Sequence, residues 1–265
     1  MRVRLLAAVA LTAVLASTAA CGGGDDTAAT PSGGASSAAG VSGPITVLAA
    51  ASLTESFNQV GKDFEAANPG TKVTFSYGGS SGLAQQITSG APADVFAAAS
   101  PATMKTVTDA GDGSGTPVTF VRNQLVIAVA KGNPKGITSL AALAKPGLKV
   151  ALCAQQVPCG AAAVKALAAA KVSLTPVTLE QDVKAALAKV KLGEVDAALV
   201  YRTDAKAASS DVDGVEFPES ASAINDYPIV ALKDAPNPAG AAAFVSYVQS
   251  AAALRVLTDA GFQTP

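Results

Sequence analysis

The stretch Ile45–Phe57, ITVLAAASLTESF, joins an apolar segment to an amphipathic one through three alanines and a serine. The apolar part predicts a buried strand, and Leu53 and Phe57 begin a stripe at helical spacing. A strand-to-helix turn built from such small residues leaves backbone N–H groups open to a ligand. A purely structural alternative exists, because Ser52 and Glu55 also fit a capping box at the start of a helix.

The same order of strand and helix repeats along the rest of the chain. Ser100-Pro101, for example, offers an N-cap followed by proline at the first helical position. Residues 118–130, VTFVRNQLVIAVA, predict a long strand that passes between two structural halves, and Val183–Lys191 predicts a helix. Repeated alternation predicts α/β architecture with largely parallel sheets. In open sheets of this kind, ligands bind beyond the carboxyl ends of the strands.

Four predicted helix starts lie at such strand ends and are flanked by small residues: Ser52, Ser80-Ser81, Cys159-Gly160 and Val183. A helix N-terminus carries unpaired N–H donors and about half a positive charge. Several of them converging on one point would bind an anion without any lysine or arginine. Each signal also has a structural interpretation, since the serines are ordinary caps and the valine is an ordinary core residue. The four together favour an anion site.

The first 43 residues carry an export signal and a linker. Arg2 and Arg4 precede an apolar run, Leu5–Leu15, and small residues lead to Cys21, which is the pattern of a secretory signal. The residues STAAC resemble a bacterial lipoprotein cleavage site, so residues 1–20 are predicted to be a lipoprotein signal peptide and Cys21 to carry the lipid. Ordinary secretion with an incidental cysteine is the alternative. Residues 21–43, rich in glycine, serine and alanine, predict a flexible tether.

The composition excludes several kinds of function. The chain has no histidine, which removes the commonest general base and the commonest transition-metal ligand and weakens the case for an enzyme. Its formal net charge is −1 and no basic run occurs, so a nucleic-acid partner is not expected. Cys153 and Cys159 predict a disulfide, because exported proteins meet oxidising conditions and two cysteines without histidine make a poor zinc site.

Five segments of the chain resemble, in order, the successive motifs of the molybdate-binding proteins of ABC import systems. They are ITVLAAASLTESF, YGGSSGLAQQITSGAPADVFAAAS, VPCGAAAVKAL, EQDVKAAL and AALVYRTDA. The resemblance runs from Ile45 to Phe262. It implies a periplasmic-binding-protein type II fold, in which two α/β lobes with mainly parallel sheets enclose a ligand cleft. Lobe 1 would comprise residues 44–121 and 226–265, and lobe 2 residues 122–225.

The resemblance implies five ligand-binding residues in this chain. Ser52 would offer its hydroxyl and N–H, Ser80 is the matching serine of its pair, and the hydroxyl of Tyr201 would complete the shell. Val183 would donate its N–H. Cys159 stands where the family usually has alanine, and its N–H would still donate if a disulfide to Cys153 does not twist the turn. These groups would contact the oxygens of the ion, so no direct metal ligand is expected.

The implied ligand is molybdate or tungstate, a tetrahedral dianion that only accepts hydrogen bonds and suits a shell made only of donors. Sulfate has the same charge and shape but is smaller, so cavity size would have to separate the two. The resemblance also implies that an anion bonded to both lobes favours their closure. The closed form, a monomer with its lipid anchor on the outer face of the cell membrane, would then dock on an ABC permease.

Other functions remain open on the sequence alone. The same fold could carry sulfate, thiosulfate or ferric iron, although a ferric site calls for clustered tyrosines and the four tyrosines here are scattered. An exported serine hydrolase with lysine as its base is a second possibility, but no Ser-x-x-Lys segment opens a helix. An adhesion or scaffold domain is a third, and it would not need four bare helix starts.

Overall fold

The computed structural model describes residues 41–265. The predicted signal peptide, Cys21 with its predicted lipidation, and residues 21–40 of the predicted tether lie outside this part. The strands are β1 (Gly43–Ala50), β2 (Thr71–Gly78), β3 (Val95–Ala97), β4 (Gly113–Asn123), β5 (Leu125–Ala130), β6 (Val150–Cys153), β7 (Thr178–Glu180), β8 (Ala197–Tyr201), β9 (Val212–Val215) and β10 (Asn225–Leu232). The α-helices are α1 (Thr54–Ala67), α2 (Ser80–Thr88), α3 (Pro101–Asp109), α4 (Leu140–Leu143), α5 (Pro158–Ala169), α6 (Val183–Lys191), α7 (Arg202–Ala207), α8 (Pro238–Val248) and α9 (Ala251–Ala260). Two 3₁₀ turns complete the elements, Ala51–Leu53 and Pro218–Ala223.

The first sheet has the strand order β2-β1-β3-β10-β4. β1 pairs in parallel with β2 and β3, whereas β10 pairs antiparallel with β3 and β4. Helices α1, α8 and α9 cover one face of this sheet, and α2 and α3 cover the other. Because both faces are covered, residues 47–50 of β1 are all buried, which explains their continuous apolar run. This sheet and its helices form the first lobe.

The second sheet has the order β7-β6-β8-β5-β9 and forms the second lobe with α4, α5, α6 and α7. β6 pairs in parallel with β7 and β8, and β5 pairs antiparallel with β8 and β9. The predicted pair of α/β lobes is therefore confirmed, but the sheets are mixed rather than mainly parallel. The antiparallel strands β5 and β10 are the strands through which the chain enters each sheet from the other lobe. A strand becomes parallel to its neighbour when a helical crossover connects the two, and no such crossover precedes β5 or β10.

The chain changes lobe at two short connections. The segment 118–130, predicted as one long strand, is divided at Gln124 into β4 of the first sheet and β5 of the second. Ile224 separates the second 3₁₀ turn from β10, through which the chain returns to the first sheet. Two single-residue connections side by side are suited to act as a hinge. The residue bounds predicted for the lobes stay a prediction.

The C-terminal helices α8 and α9 pack on the first sheet. Phe244, Val248 and Leu257 have no exposed surface, and the Phe244 ring meets that of Phe64 edge-on at 5.3 Å between centroids. Within residues 41–265 no single helix is long and apolar enough to cross a membrane, and α8 and α9 reach that length only as a pair bent by 61°. Their apolar faces belong to the core that holds α1 and the turn before it in place.

Candidate functional site

A cavity of about 20 Å³ lies between the carboxyl end of β1 and the starts of α2, α5 and α6. This volume exceeds the roughly 10–15 Å³ that one water needs, and it is far below the roughly 300–1,000 Å³ of sites for larger organic ligands. All five residues predicted to bind a ligand line it. The complete lining is Ala50, Ala51, Ser52, Gly78, Gly79, Ser80, Ala99, Val157, Pro158, Cys159, Asp182, Val183 and Tyr201.

Backbone N–H groups from both lobes belong to this lining. In the part of the chain that the structure describes, no acceptor meets the N–H of Ser52, Ser80, Cys159 or Val183. The last three lie in the first turns of α2, α5 and α6, whose dipoles add positive potential at the cavity. The lining contains no lysine or arginine, and its one carboxylate, Asp182, accepts from Ala185 N–H as the N-cap of α6. The hydrogen-bond donors of this lining are therefore neutral groups.

The capping box proposed for Ser52 and Glu55 is wrong. Ser52 lies inside the 3₁₀ turn Ala51–Leu53, two residues after the N-cap position at Ala50, and its Oγ lies 2.8 Å from the hydroxyl of Tyr227. Glu55 instead accepts from Lys184 of the second lobe at 2.7 and 2.8 Å. The 3₁₀ turn continues directly into α1, so the serine side chain is free for a tertiary contact.

The hydroxyls of Ser80 and Tyr201 each accept a hydrogen bond from the protein. Ser80 Oγ accepts from Ala99 N–H at 2.9 Å, and the Tyr201 hydroxyl accepts from Asn225 Nδ2 at 2.8 Å. Burial raises the pKa of Tyr201 well above its ordinary value, and the nearby Tyr227 and Asp204 raise it further. The phenol therefore keeps its proton at neutral pH and has a hydrogen to donate.

Residues 78–82, GGSSG, match the letters of the nucleophile elbow of serine hydrolases, G-x-S-x-G. The central serine is Ser80, whose oxygen is held by Ala99 N–H. A serine nucleophile needs a base within hydrogen-bond reach, and the hydrogen bonds of Ser80 in the described part include none to a lysine or carboxylate. The local structure therefore favours binding over catalysis.

The predicted disulfide between Cys153 and Cys159 is present, with the two Cα atoms 5.7 Å apart. It joins the end of β6 to the second residue of α5, next to the N–H that Cys159 presents to the cavity. The loop is tightly packed, since a Cβ on Gly160 would overlap the carbonyl oxygen of Ala154. The cysteine in place of the family's usual alanine thus leaves the N–H in the cavity lining, and the turn that carries it is braced.

We expect the double substitution Cys153→Ser and Cys159→Ser to lower the free energy of unfolding by about 2 kcal/mol, because the closed loop is short. Urea unfolding of the oxidised protein and the variant measures this difference. The reduced wild-type protein is the matched control and should unfold with the variant. A loss below about 0.5 kcal/mol would show that the bond adds little to the packing of the turn.

Three contacts join the lobes around the cavity. Ser81 Oγ donates to the carbonyl oxygen of Gln156 at 2.5 Å, and Gly79 packs so closely on Gln181 that a Cβ there would overlap its carbonyl oxygen. The third contact is the pair of Glu55 and Lys184 described above. The lobes therefore touch on several sides of the cavity, which places both sets of donors within reach of one small ion.

Lys184 also contacts a carboxylate buried in its own lobe. Its Nζ lies 3.1 Å from Oδ1 of Asp204, a side chain without exposed surface, and Asp204 Oδ2 accepts from Tyr201 N–H at 3.3 Å. Burial raises the pKa of Asp204 to about 6, against the lowering effect of Lys184. The aspartate fixes the backbone of Tyr201, and the lysine connects it to the other lobe.

Sequence reasoning did not find three residues behind the cavity wall, Tyr227, Asn123 and Asn225. All three are buried; the side chains of Tyr227 and Asn225 contact Ser52 and Tyr201, and the side chain of Asn123 contacts Tyr227. They lie in β4 and β10, next to the two connections between the lobes. No spacing or motif marks them, because their partners are far away along the chain.

Residues 45–263 match the family of bacterial extracellular solute-binding proteins. The chain belongs to this family. The molybdate-binding protein ModA of Mycobacterium tuberculosis (strain H37Rv) is 47% identical over 221 residues, which cover 83% of this chain and 85% of that protein. The predicted resemblance is thus confirmed, as is the prediction of a binding protein rather than an enzyme.

Solved structures show the same fold. The periplasmic molybdate-binding protein of Azotobacter vinelandii matches with a TM-score of 0.71 at 20% identity, over 83% of this chain and 99% of that one. The sulfate-binding protein SubI of Mycobacterium tuberculosis matches with a TM-score of 0.70 at 19% identity, over 83% and 86%. The predicted periplasmic-binding-protein fold is confirmed. At these identities the likeness concerns the fold alone, and the two proteins bind different ions.

Proposed function

We propose that this chain captures molybdate outside the cytoplasm and delivers it to an ABC permease. One observation carries the proposal: hydroxyl and N–H donors of Ser52, Ser80, Cys159, Val183 and Tyr201 line one cavity of about 20 Å³. A dianion that only accepts hydrogen bonds satisfies such a lining, and helix N-termini favour its charge. The 47% identity to a protein named for molybdate binding supports the same ligand.

Tungstate belongs to the same proposal, because its charge, shape and size are nearly those of molybdate. Sulfate and thiosulfate are the alternative cargoes, and cavity size is the property that would reject sulfate, since the donors would stand too far apart for a smaller ion. Ferric iron gains no support, since no group of three or more Asp, Glu, His or Cys side chains in residues 41–265 could hold a metal ion. We infer that the metal of the oxyanion has no direct protein ligand.

Delivery requires that the ligand changes the shape of the protein. We propose that residues 44–121 with 226–265 and residues 122–225 act as two lobes that close on the ion about the connections at Gln124 and Ile224. The ion stabilises the closed form because it bonds to donors of both lobes. We further propose that Cys21 carries a lipid on the outer face of the membrane and that the protein works as a monomer docking on its permease.

Calorimetric titration of Ser52→Ala and Tyr201→Phe with molybdate tests the site. A hydrogen bond to a charged group contributes about 1.5–3 kcal/mol, so each variant should bind molybdate about 10- to 100-fold more weakly than wild type. Tyr247→Phe is the matched control, because this tyrosine packs against Phe64 on the outer side of the first lobe. Thermal unfolding without ligand should be similar in all these proteins.

Titrations with tungstate and sulfate complete the test. Wild-type protein should bind molybdate and tungstate with similar affinity and sulfate at least a hundredfold more weakly. Equal affinity for sulfate would refute selection by cavity size, and tighter binding of sulfate would replace molybdate by sulfate as the cargo. Unchanged molybdate affinity in both site variants would refute the assignment of these residues.

A further inference from the structure

The side-chain amide of Asn123 has only one possible orientation. Its Oδ1 accepts from the backbone N–H of Gln124 at 2.9 Å, so the other end of the amide is the nitrogen. That nitrogen lies 2.9 Å from Thr203 Oγ1 and 3.4 Å from the hydroxyl of Tyr227. Asn123 is 1% exposed, so water does not compete for these contacts. The amide therefore donates to Tyr227.

The direction of the next hydrogen bond follows from the first. Because the Tyr227 hydroxyl accepts from Asn123, we assign its proton to Ser52 Oγ, 2.8 Å away, rather than to the neighbouring hydroxyl of Tyr201. Burial raises the pKa of Tyr227 well above its ordinary value, so that proton is present at neutral pH. Ser52 then accepts from Tyr227, and its own proton is left for the cavity that Ser52 lines.

Asn225 directs the hydroxyl on the opposite side in the same way. Its Nδ2 lies 2.7 Å from the carbonyl oxygen of Ala99, which can only accept, so this atom is the nitrogen and not the oxygen of the amide. The same nitrogen lies 2.8 Å from the Tyr201 hydroxyl, which must accept from it. The Tyr201 proton can then be donated to the cavity or to the hydroxyl of Tyr227, and that second hydroxyl is already bonded to Asn123 and Ser52. Ala99 N–H similarly occupies the acceptor side of Ser80.

We propose that Asn123 and Asn225 are positioning residues that turn the hydroxyl protons of Ser52 and Tyr201 into the cavity and so select for oxyanions without a proton. A hydroxyl both donates and accepts, and it would rotate to accept a proton from a ligand if its acceptor side were open. With that side occupied, a ligand proton faces only donors, and the mismatch is costly. This inference rests on the proposed function.

The test uses inorganic phosphate, which carries a proton at pH 7, as a competitor of molybdate. We expect Asn123→Ala and Asn225→Ala to bind molybdate more weakly and phosphate more strongly than wild type. Water that enters the space left by either amide both donates and accepts, which frees the hydroxyl to turn. The ratio of the phosphate to the molybdate dissociation constant, measured by competition calorimetry at pH 7, should fall at least tenfold in each variant.

Two further variants separate orientation from a loss of structure. Asn237→Ala removes an asparagine that holds the start of β1 and α8 far from the cavity, and it should leave the ratio unchanged. Tyr227→Phe breaks the link between Asn123 and Ser52 without removing either asparagine and should lower the ratio as Asn123→Ala does. If one alanine variant does not fold, Tyr227→Phe and the other variant still decide the question.

The outcomes distinguish this inference from the proposed function. Wild-type protein that binds neither molybdate nor tungstate refutes the proposed function. The positioning role of the asparagines is refuted separately, if wild-type protein binds molybdate but the variants do not change the ratio. This is the case if the asparagine variants bind molybdate and phosphate more weakly by the same factor. It is also the case if phosphate does not compete with molybdate in these variants.

Discussion

Replacing Gly79 by alanine is expected to weaken molybdate binding by at least a hundredfold and to leave the fold intact. The backbone of Gly79 has φ −63° and ψ 127°, which alanine adopts without strain, so neither lobe is disturbed. The added Cβ would overlap the carbonyl oxygen of Gln181 in the other lobe. A backbone oxygen cannot rotate away as a flexible side chain can. The lobes must stay further apart at this point.

The size of the effect follows from the donors that separation removes. An ion held by the first lobe loses the N–H groups of Cys159 and Val183 and the hydroxyl of Tyr201. At about 1.5–3 kcal/mol for each hydrogen bond to a charged group, losing even two costs at least 3 kcal/mol, or more than a hundredfold in affinity. Calorimetric titration with molybdate measures the loss.

Gly82→Ala is the matched control for Gly79→Ala. Gly82 lies in α2, three residues further on, and a Cβ there meets nothing within 4 Å. It should bind molybdate as wild type does and gain about 0.5–1 kcal/mol of stability from alanine in a helix. A Gly79→Ala protein within threefold of wild-type affinity would mean that the ion is held by one lobe, or that the lobes need not approach as closely as here.

Local features of the site could be predicted from sequence because they depend on neighbours in the chain. The small residues before Ser52, the glycines before Ser80 and the N-cap before Val183 each mark a helix start within a few residues. The helix Val183–Lys191 and the disulfide both have the predicted bounds. The prediction that these helix starts meet at one cavity came from the resemblance of the motifs to a known family. The spacing of the helix starts along the chain does not by itself predict it.

Long-range contacts at the site could not be predicted. Ser52 and Tyr227 are 175 residues apart, so the capping box was the natural local interpretation of a serine followed by glutamate at the third position. The directions of the Asn123 and Asn225 amides depend on which atoms surround them in the fold. The antiparallel pairing of β5 and β10 was not predicted for a related reason. The residue pattern of a strand does not show whether its neighbours in the sheet run parallel or antiparallel to it.

The second large effect is expected for Lys184→Met, which should lower the free energy of unfolding by about 3–5 kcal/mol at pH 8 because it leaves the buried Asp204 without its cation. Glu55 is half-exposed and loses little, since water replaces the lysine there. Asp204 has no exposed surface, and among the described residues its Oδ1 has no polar partner besides the ammonium of Lys184, 3.1 Å away. Methionine keeps the length of the side chain and its packing, so the change is mainly one of charge.

The loss should depend on pH in a direction set by Asp204. Burial raises the pKa of Asp204 to about 6 in the folded protein even with Lys184 beside it, so the folded state holds this proton where the unfolded state has released it. Stability from this group is therefore present at low pH and is lost as pH rises through the folded pKa. Without Lys184 the pKa rises further, so Lys184→Met should be much nearer to wild type at pH 5 than at pH 8.

A double-mutant cycle isolates the buried charge. Asp204→Asn keeps an oxygen for the N–H of Tyr201 but has no charge, so Lys184→Met with Asp204→Asn should recover most of the stability lost at pH 8 and should lose the added pH dependence. Urea unfolding of the four proteins at both pH values measures the coupling. Equal losses at pH 5 and pH 8 would show that the loss does not come from the charge on Asp204. Recovery in the double variant would show that Lys184 neutralises the carboxylate that fixes Tyr201, while its bond to Glu55 holds the same helix against the first lobe.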